Sequence, residues 1–305
     1  MQIKQFLDKG NFEYYEDYDI ATFSAIKIGA RCKLVIFPRT IKQFQKLLVW
    51  LYGNKIYFRV FGNASNVLFI SDLSFPVVFL SKMNDEYEVC GNVIKASAGM
   101  MLGKFCDILR KNGLAGAEGL INIPATIGGA IMNNASAFGN SISDHLVKIT
   151  AFFDGKIRDI NKNEIKFGYH YSNLSGFIVL SAEFWFEKNN EYDIINLSNK
   201  FTYLRNKTQP SGLTLGSVFR KINSKSAGFY IERVGLKGLR KGGIVVSSKH
   251  ANFFVNDKGG SALDFLALIS VVQKSVEKQF GLCLVPEIEK VGDRDEIICR
   301  LPHTF

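Results

Sequence analysis

The stretch Ile123–Gly139, IPATIGGAIMNNASAFG, restricts what this chain can fold into more than any other part of it. Pro124 fixes one backbone dihedral, Gly128 and Gly129 remove two successive side chains, and alanine and serine fill much of the remainder. A run this lean either makes room for something flat and large or packs backbone directly on backbone, and the residues alone leave both readings open. A second lean turn, Phe61–Asn66 (FGNASN), also follows an apolar run. Its small residues let backbone amides approach a phosphate closely, and Ser65 and Asn66 add side-chain donors; an ordinary turn between strands would read the same way.

Around these turns the pattern is that of a mixed fold. Lys33–Pro38 reads as a strand, and Ile41–Tyr52 repeats Phe44, Leu47, Leu48 and Leu51 at helical spacing. Ile56–Phe61, Asn66–Ile70, Val77–Leu80 and Asn92–Ala98 are short β-branched or aromatic runs between Gly, Asn, Ser and Asp, and Met101–Asn112 carries a helical stripe. Lys148–Phe153 and Phe177–Phe186 read as strands, and Tyr192–Asn206 as a helix that runs into Thr208-Gln209-Pro210. Proline just past a helix end marks a boundary, so the chain divides near 207. Beyond it, Ser261–Asp264 forms a capping box ahead of a helix with Phe265, Leu268, Ile269, Val272 and Val276 on one face.

The net charge of +10 is concentrated. Between Lys207 and His250 nine basic residues face a single acid, Glu232, and the segment is rich in Gly and Ser. Without a regular Lys/Arg helix face it suits compact phosphate groups better than a nucleic-acid duplex, although a solvated basic surface would have the same composition. No apolar stretch approaches the ~20 residues of a membrane span, and the first 19 residues turn acidic and aromatic where a leader would be apolar, so a cytoplasmic protein is expected, with no membrane partner. Five scattered cysteines without a C-x-x-C pair and four distant histidines suggest neither a disulfide framework nor a metal site. Gly99–Lys104 is one residue short of a phosphate loop, and no G-x-G-x-x-G follows a strand.

In order along nearly the whole chain, these residues resemble the UDP-N-acetylenolpyruvoylglucosamine reductase (MurB) family. The likeness runs through Ile26–Pro38 (IKIGARCKLVIFP), GNASNVLF, IPATIGGAIMNNASAFG and Phe167–Ser172 (FGYHYS). It is densest in Arg205–Pro210 (RNKTQP), Gly216–Phe219 (GSVF), Ala227–Gly243 (AGFYIERVGLKGLRKGG), Ser247–Asn256 (SSKHANFFVN) and Leu284–Gly292 (LVPEIEKVG).

The resemblance implies an α+β protein. An FAD-binding domain of the vanillyl-alcohol-oxidase type would span 1–206 in two subdomains, roughly 1–80 and 81–206, with a smaller α+β substrate-binding domain over 207–305. It implies bound FAD, NADPH as co-substrate and a UDP-sugar substrate. Phe61, Gly62, Asn63, Ala64, Ser65, Asn66, Pro124, Ala125, Thr126, Gly128, Gly129, Asn133 and Ala135 would hold the flavin nucleotide. Ser217 would be the proton donor and Glu287 its acidic partner, and Tyr169, Arg205, Lys207, Gln209, Arg220, Lys221 and Lys249 would contact substrate. A monomer active in peptidoglycan precursor synthesis is expected, with no nucleic-acid partner.

This sequence departs from the family pattern at several of these positions. His170 stands at the family's third catalytic position, an arginine; a guanidinium is a permanent charge with a rigid donor fork, whereas imidazole is charged only below ~6.5 in water. Lys221 stands at a usual asparagine, and Asn63, Ala64, Ala125 and Ser136 replace glycines. His170 and Lys221 keep in play a flavin- or nucleotide-sugar-binding relative without turnover; a further alternative, another oxidoreductase on the same FAD fold, is opposed by the likeness extending through the C-terminal segments.

Overall fold

The chain folds as two units whose boundaries cut it in several places. A computed structural model describes residues 2–222 and 225–293; Cys299, His303 and the end of the expected C-terminal domain lie outside the described residues. The first unit comprises the described residues up to Glu16, Leu34–Asn63 and Phe75–Leu204, and the second Asp17–Lys33, Ala64–Ser74 and the described residues from Arg205 onward. The sequence suggests one boundary, near 206; the contacts add two earlier segments to the C-terminal body. Ile26 and Ile28 from one and Leu68 from the other are buried in its core, and Val67–Phe69 pairs in parallel with Glu289–Val291. Both segments are short, and three of their four ends fall inside the strands Glu13–Asp19, Arg31–Phe37 and Leu73–Phe79, which leaves no linker composition to mark them.

The first unit is organised by an antiparallel five-stranded sheet in the order Lys156–Asn161, Leu146–Phe153, Ile178–Trp185, Val93–Ser97, Tyr87–Cys90. Leu146–Phe153 buries Ile149 and Ala151, and its partner Ile178–Trp185 buries Leu180, Ala182 and Phe184. The helix Ile41–Gly53 starts where the Thr40 hydroxyl accepts from the Gln43 amide at 3.1 Å, and it buries the four residues of its apolar stripe. Leu102–Lys111 adds Leu102, Phe105, Ile108 and Leu109 to the same core, so Gly99–Lys104 is indeed a helix entrance and not a phosphate loop.

The second unit has a four-stranded sheet ordered Thr214–Ser217, Phe253–Asn256, Ile244–Val246, Arg240–Lys241, covered by the helices Ala227–Arg233 and Ala262–Phe280. The long helix opens on the expected capping box, with both Ser261 and Asp264 bonds made, and ends at Gly281 with φ 66°. Phe265, Leu268, Ile269, Val272 and Val276 are its buried face. Among the described residues no helix is long and apolar enough to cross a membrane.

Candidate active site

Gly62 and Asn63 of the first lean turn meet the second, some sixty residues further along the sequence, within the first unit. A Cβ on Gly62 would lie 2.1 Å from Thr126 Oγ1, and Asn63 Nδ2 donates to the Pro124 carbonyl at 2.9 Å. Gly62 is therefore required for contact between the turns. Thr126 is buried and caps the short helix Ile127–Met132. The first amides of that helix are already used, Ile127 donating to Met100 O and Gly128 to Ala98 O, and a Cβ on Gly128 would stand 3.0 Å from that of Ala98. At Gly128, then, backbone packing explains the missing side chain.

The free donors lie in the other turn. Among the described residues the amides of Gly62, Asn63, Ala64 and Ser65 have no intramolecular acceptor, and Ala64 takes a left-handed φ of 45°. Successive unpaired amides around a left-handed residue form a concave donor set suited to a diphosphate, so the turn fits the pyrophosphate of a dinucleotide. Of the remaining residues in the second turn, Pro124 is exposed, while Ala125, Gly129 and Ala135 are half-buried.

His170 is carried by a hairpin in which Phe167–Gly168 pairs with Tyr171–Ser172, leaving Tyr169 and His170 as the two turn residues. Its φ is 48°, and its ring meets that of Tyr169 edge-on at 4.2 Å. The hairpin is tied to the end of the Ile127–Met132 helix: Ser172 Oγ donates to Met132 O at 2.7 Å and Asn134 Nδ2 to Gly168 O at 2.9 Å. Asn134 is buried, left-handed at φ 42°, and its Oδ1 has no partner. A buried acceptor left open beside this turn offers a bond to a bound group. The resemblance points to Asn133, but that side chain is exposed and bonds back to Gly129 O at 3.2 Å. The Asn-Asn pair was the available signal, and only the helix end decides which asparagine faces inward.

Ser217 and Glu287 both belong to the second unit. Ser217 ends its strand opposite Phe253, and Gly216 before it has φ 79°. The next residues pair with the chain around Pro286: Glu287 N donates to Val218 O, and Arg220 N to Val285 O, both at 2.9 Å. One backbone bond thus fixes Glu287 against the neighbour of Ser217. The Glu287 side chain is largely buried and its Oε2 has no partner. Burial pushes its carboxyl up to about 7, with Arg220 acting in the opposite direction. Its carbonyl accepts from Asn66 Nδ2 at 3.0 Å, which anchors the end of the first turn.

Arg205 and Gln209 bond to each other at 3.1 Å, and Lys249 donates to the carbonyl of Asn206, which gathers three of the candidate substrate contacts around one helix end. Burial holds the Arg205 guanidinium below its ordinary value. Lys207, Arg220 and Lys221 are exposed. His170 lies in the first unit and is not among this second group.

A family model described as the FAD binding domain matches residues 32–161, which contain both lean turns, and one described as the UDP-N-acetylenolpyruvoylglucosamine reductase C-terminal domain matches 209–291, from before Ser217 to past Glu287. The UDP-N-acetylenolpyruvoylglucosamine reductase of Caldicellulosiruptor bescii is 33% identical over 96% of this chain and 95% of its own. This chain belongs to the UDP-N-acetylenolpyruvoylglucosamine reductase (MurB) family. The MurB of Halalkalibacterium halodurans is 35% identical over 90% of this chain and 93% of its own. The crystal structure of MurB from Thermus caldophilus superposes with a TM-score of 0.78 at 27% identity, covering 92% of this chain and 99% of that one. The α+β class, with an FAD-binding domain followed by a smaller C-terminal domain, is that of the MurB family.

Proposed function

We propose that this protein uses NADPH to reduce UDP-N-acetylenolpyruvoylglucosamine to UDP-N-acetylmuramate, as an FAD enzyme of peptidoglycan precursor synthesis. The observation that carries this reading is the pairing of Ser217 with a desolvated Glu287 through Val218, inside the MurB C-terminal domain. The reaction belongs to the cytoplasm and needs only one copy of the chain.

FAD, when bound, supplies the hydride relay from NADPH to the sugar. The amides of Gly62–Ser65 would hold its pyrophosphate, and Thr126, by capping its helix and filling the space over Gly62, keeps Gly62 and the second turn in register. The enolpyruvyl double bond gains hydride at one carbon and the Ser217 Oγ proton at the other, giving the lactyl ether. Serine is a weak acid in water, so this transfer needs a dry setting and a nearby group to stabilise the enolate. Glu287, near half protonation at neutral pH, offers an O–H to that charge. Arg205, Lys207, Gln209, Arg220, Lys221 and Lys249 supply charge and donors for the diphosphate, and Tyr169 and His170 act from their hairpin turn.

The purified protein should bind FAD one to one, oxidise one equivalent of NADPH per bound flavin without sugar, and turn NADPH over repeatedly only when the enolpyruvyl sugar is present. Failure to take up FAD on reconstitution, or holo-protein inert toward NADPH plus sugar, defeats the reading. His170 at the arginine position favours a second reading, a binding protein without turnover; full hydride transfer from dithionite-reduced protein to the sugar in a single turnover excludes it. Exchanging His170 for arginine should flatten the pH profile of the sugar-dependent step, because a guanidinium keeps its charge throughout. An unaltered profile would remove the imidazole charge from the mechanism.

A further inference from the structure

Ser217 ends a strand that does not follow its partner regularly. Thr214 is opposite Val255 and Ser217 is opposite Phe253, with the register shifting between them at left-handed Gly216. Past Ser217 the sheet ladder stops, yet the chain remains fully bonded because one side chain takes the place of the missing peptide. Asn252, only 4% exposed, accepts from Phe219 N through Oδ1 at 3.0 Å and donates to Phe219 O through Nδ2 at 2.8 Å, and its own carbonyl accepts from Val218 N at 2.8 Å. On the opposite edge Val218 O and Arg220 N bond to Glu287 N and Val285 O. The segment after Ser217 is thus held from both sides, by Asn252 on one and the Glu287 strand on the other.

We propose that Asn252 is a positioning residue for proton transfer, its side-chain amide locking the segment that sets Ser217 against Glu287. This rests on the reading of Ser217 as proton donor. A hydroxyl delivers a proton only from the correct direction and distance, and an error of about 1 Å costs on the order of 100-fold in rate. Without the amide, Phe219 N and O lose their partners in a buried place, and the segment two residues from the hydroxyl is held only by the backbone bonds of Val218 and Arg220. Asn252 does not itself face the chemistry, because its side-chain O and N are engaged by Phe219.

Two variants test this in FAD-loaded protein. Asn252→Ala should slow the sugar-dependent step about 100-fold through kcat, with KM and the NADPH-driven step little changed. Asn252→Asp restores the amide pattern only while its carboxyl is protonated, since the acid form both accepts and donates and the ionised form cannot donate. Its rate relative to wild type should therefore recover as pH falls from about 8 to about 5, burial keeping the carboxyl protonated into that range. The titratable and charged groups near it are His250, whose Nδ1 accepts from Asn252 N at 3.2 Å, Lys249 three residues before it, and Arg220 and Glu287 on the facing segments; Asn252→Ala measured over the same pH range separates the effect of the new carboxyl from theirs. A double variant with Ser217→Ala should be no slower than Ser217→Ala alone.

Equal loss in both half-reactions, an Asn252→Asp ratio independent of pH, or full additivity with a slow Ser217→Ala would each overturn the proposal while leaving Ser217 as donor. A Ser217→Ala enzyme with an unimpaired sugar step would overturn the donor reading, and this proposal with it. If Asn252→Ala does not fold, the pH-dependent ratio of Asn252→Asp decides alone.

Discussion

Replacing Ser217 with alanine should slow the sugar-dependent step by roughly 10²–10⁴-fold while NADPH still bleaches the bound flavin at the normal rate. Only the hydroxyl is lost: Ser217 is half-buried at a strand end, and the flanking bonds, Val218 N to Asn252 O and Glu287 N to Val218 O, are made by backbone. Alanine therefore keeps the strand and removes the proton. Stopped-flow measurement of each half-reaction separates the outcomes, since a structural role would lower both and a donor role only the second. If the sugar reoxidises the flavin equally fast in the variant, the proton comes from elsewhere.

Glu287→Gln should have the second large effect, and on two quantities. The folded carboxyl titrates near 7, against 4.5 ordinarily, because burial disfavours its charge. A raised pKa means that the folded state binds this proton more tightly than the unfolded chain. The group's contribution is intact below about 4.5, declines as pH rises, and is lost above about 7. The difference corresponds to on the order of 2–3 kcal/mol, and less to the extent that water reaches the partly exposed group. Glutamine is neutral throughout, so the variant should match wild type in stability near pH 4.5 and exceed it by that order at pH 8, as read by denaturant unfolding. It should also reduce the sugar more slowly, because an amide cannot lend an acidic proton to the enolate. A stability difference that stays constant with pH would show that Glu287 is better solvated than its surroundings imply.

Much of this arrangement was readable from local pattern. The helix Ile41–Gly53, the capping box at Ser261 and the strand Ile178–Trp185 follow from residue spacing, because apolar period and cap chemistry act over a few residues. The helix Ile127–Met132 was less legible: two glycines and a proline read as a loop, and it exists because Thr126 caps it and its first amides bond to Ala98 and Met100. The strand Lys156–Asn161 was missed for a related reason. It is almost wholly exposed and polar, and only its pairing with Leu146–Phe153 defines it.

The same division holds at the site. Sequence alone determined that a small-residue turn at Gly62 and a second at Pro124–Gly129 exist, and that Ser217 and Glu287 belong to one C-terminal body, since order and residue type along the chain are enough for that. Only the tertiary structure decided that Asn134 rather than Asn133 is buried, that the open amides are those of Gly62–Ser65, that 17–33 and 64–74 join the C-terminal core, and that Asn252 completes the strand after Ser217. Each of these depends on which partner a distant segment brings to a polar group, and burial and hydrogen-bond satisfaction are properties of that pairing, not of the residue's neighbours in sequence.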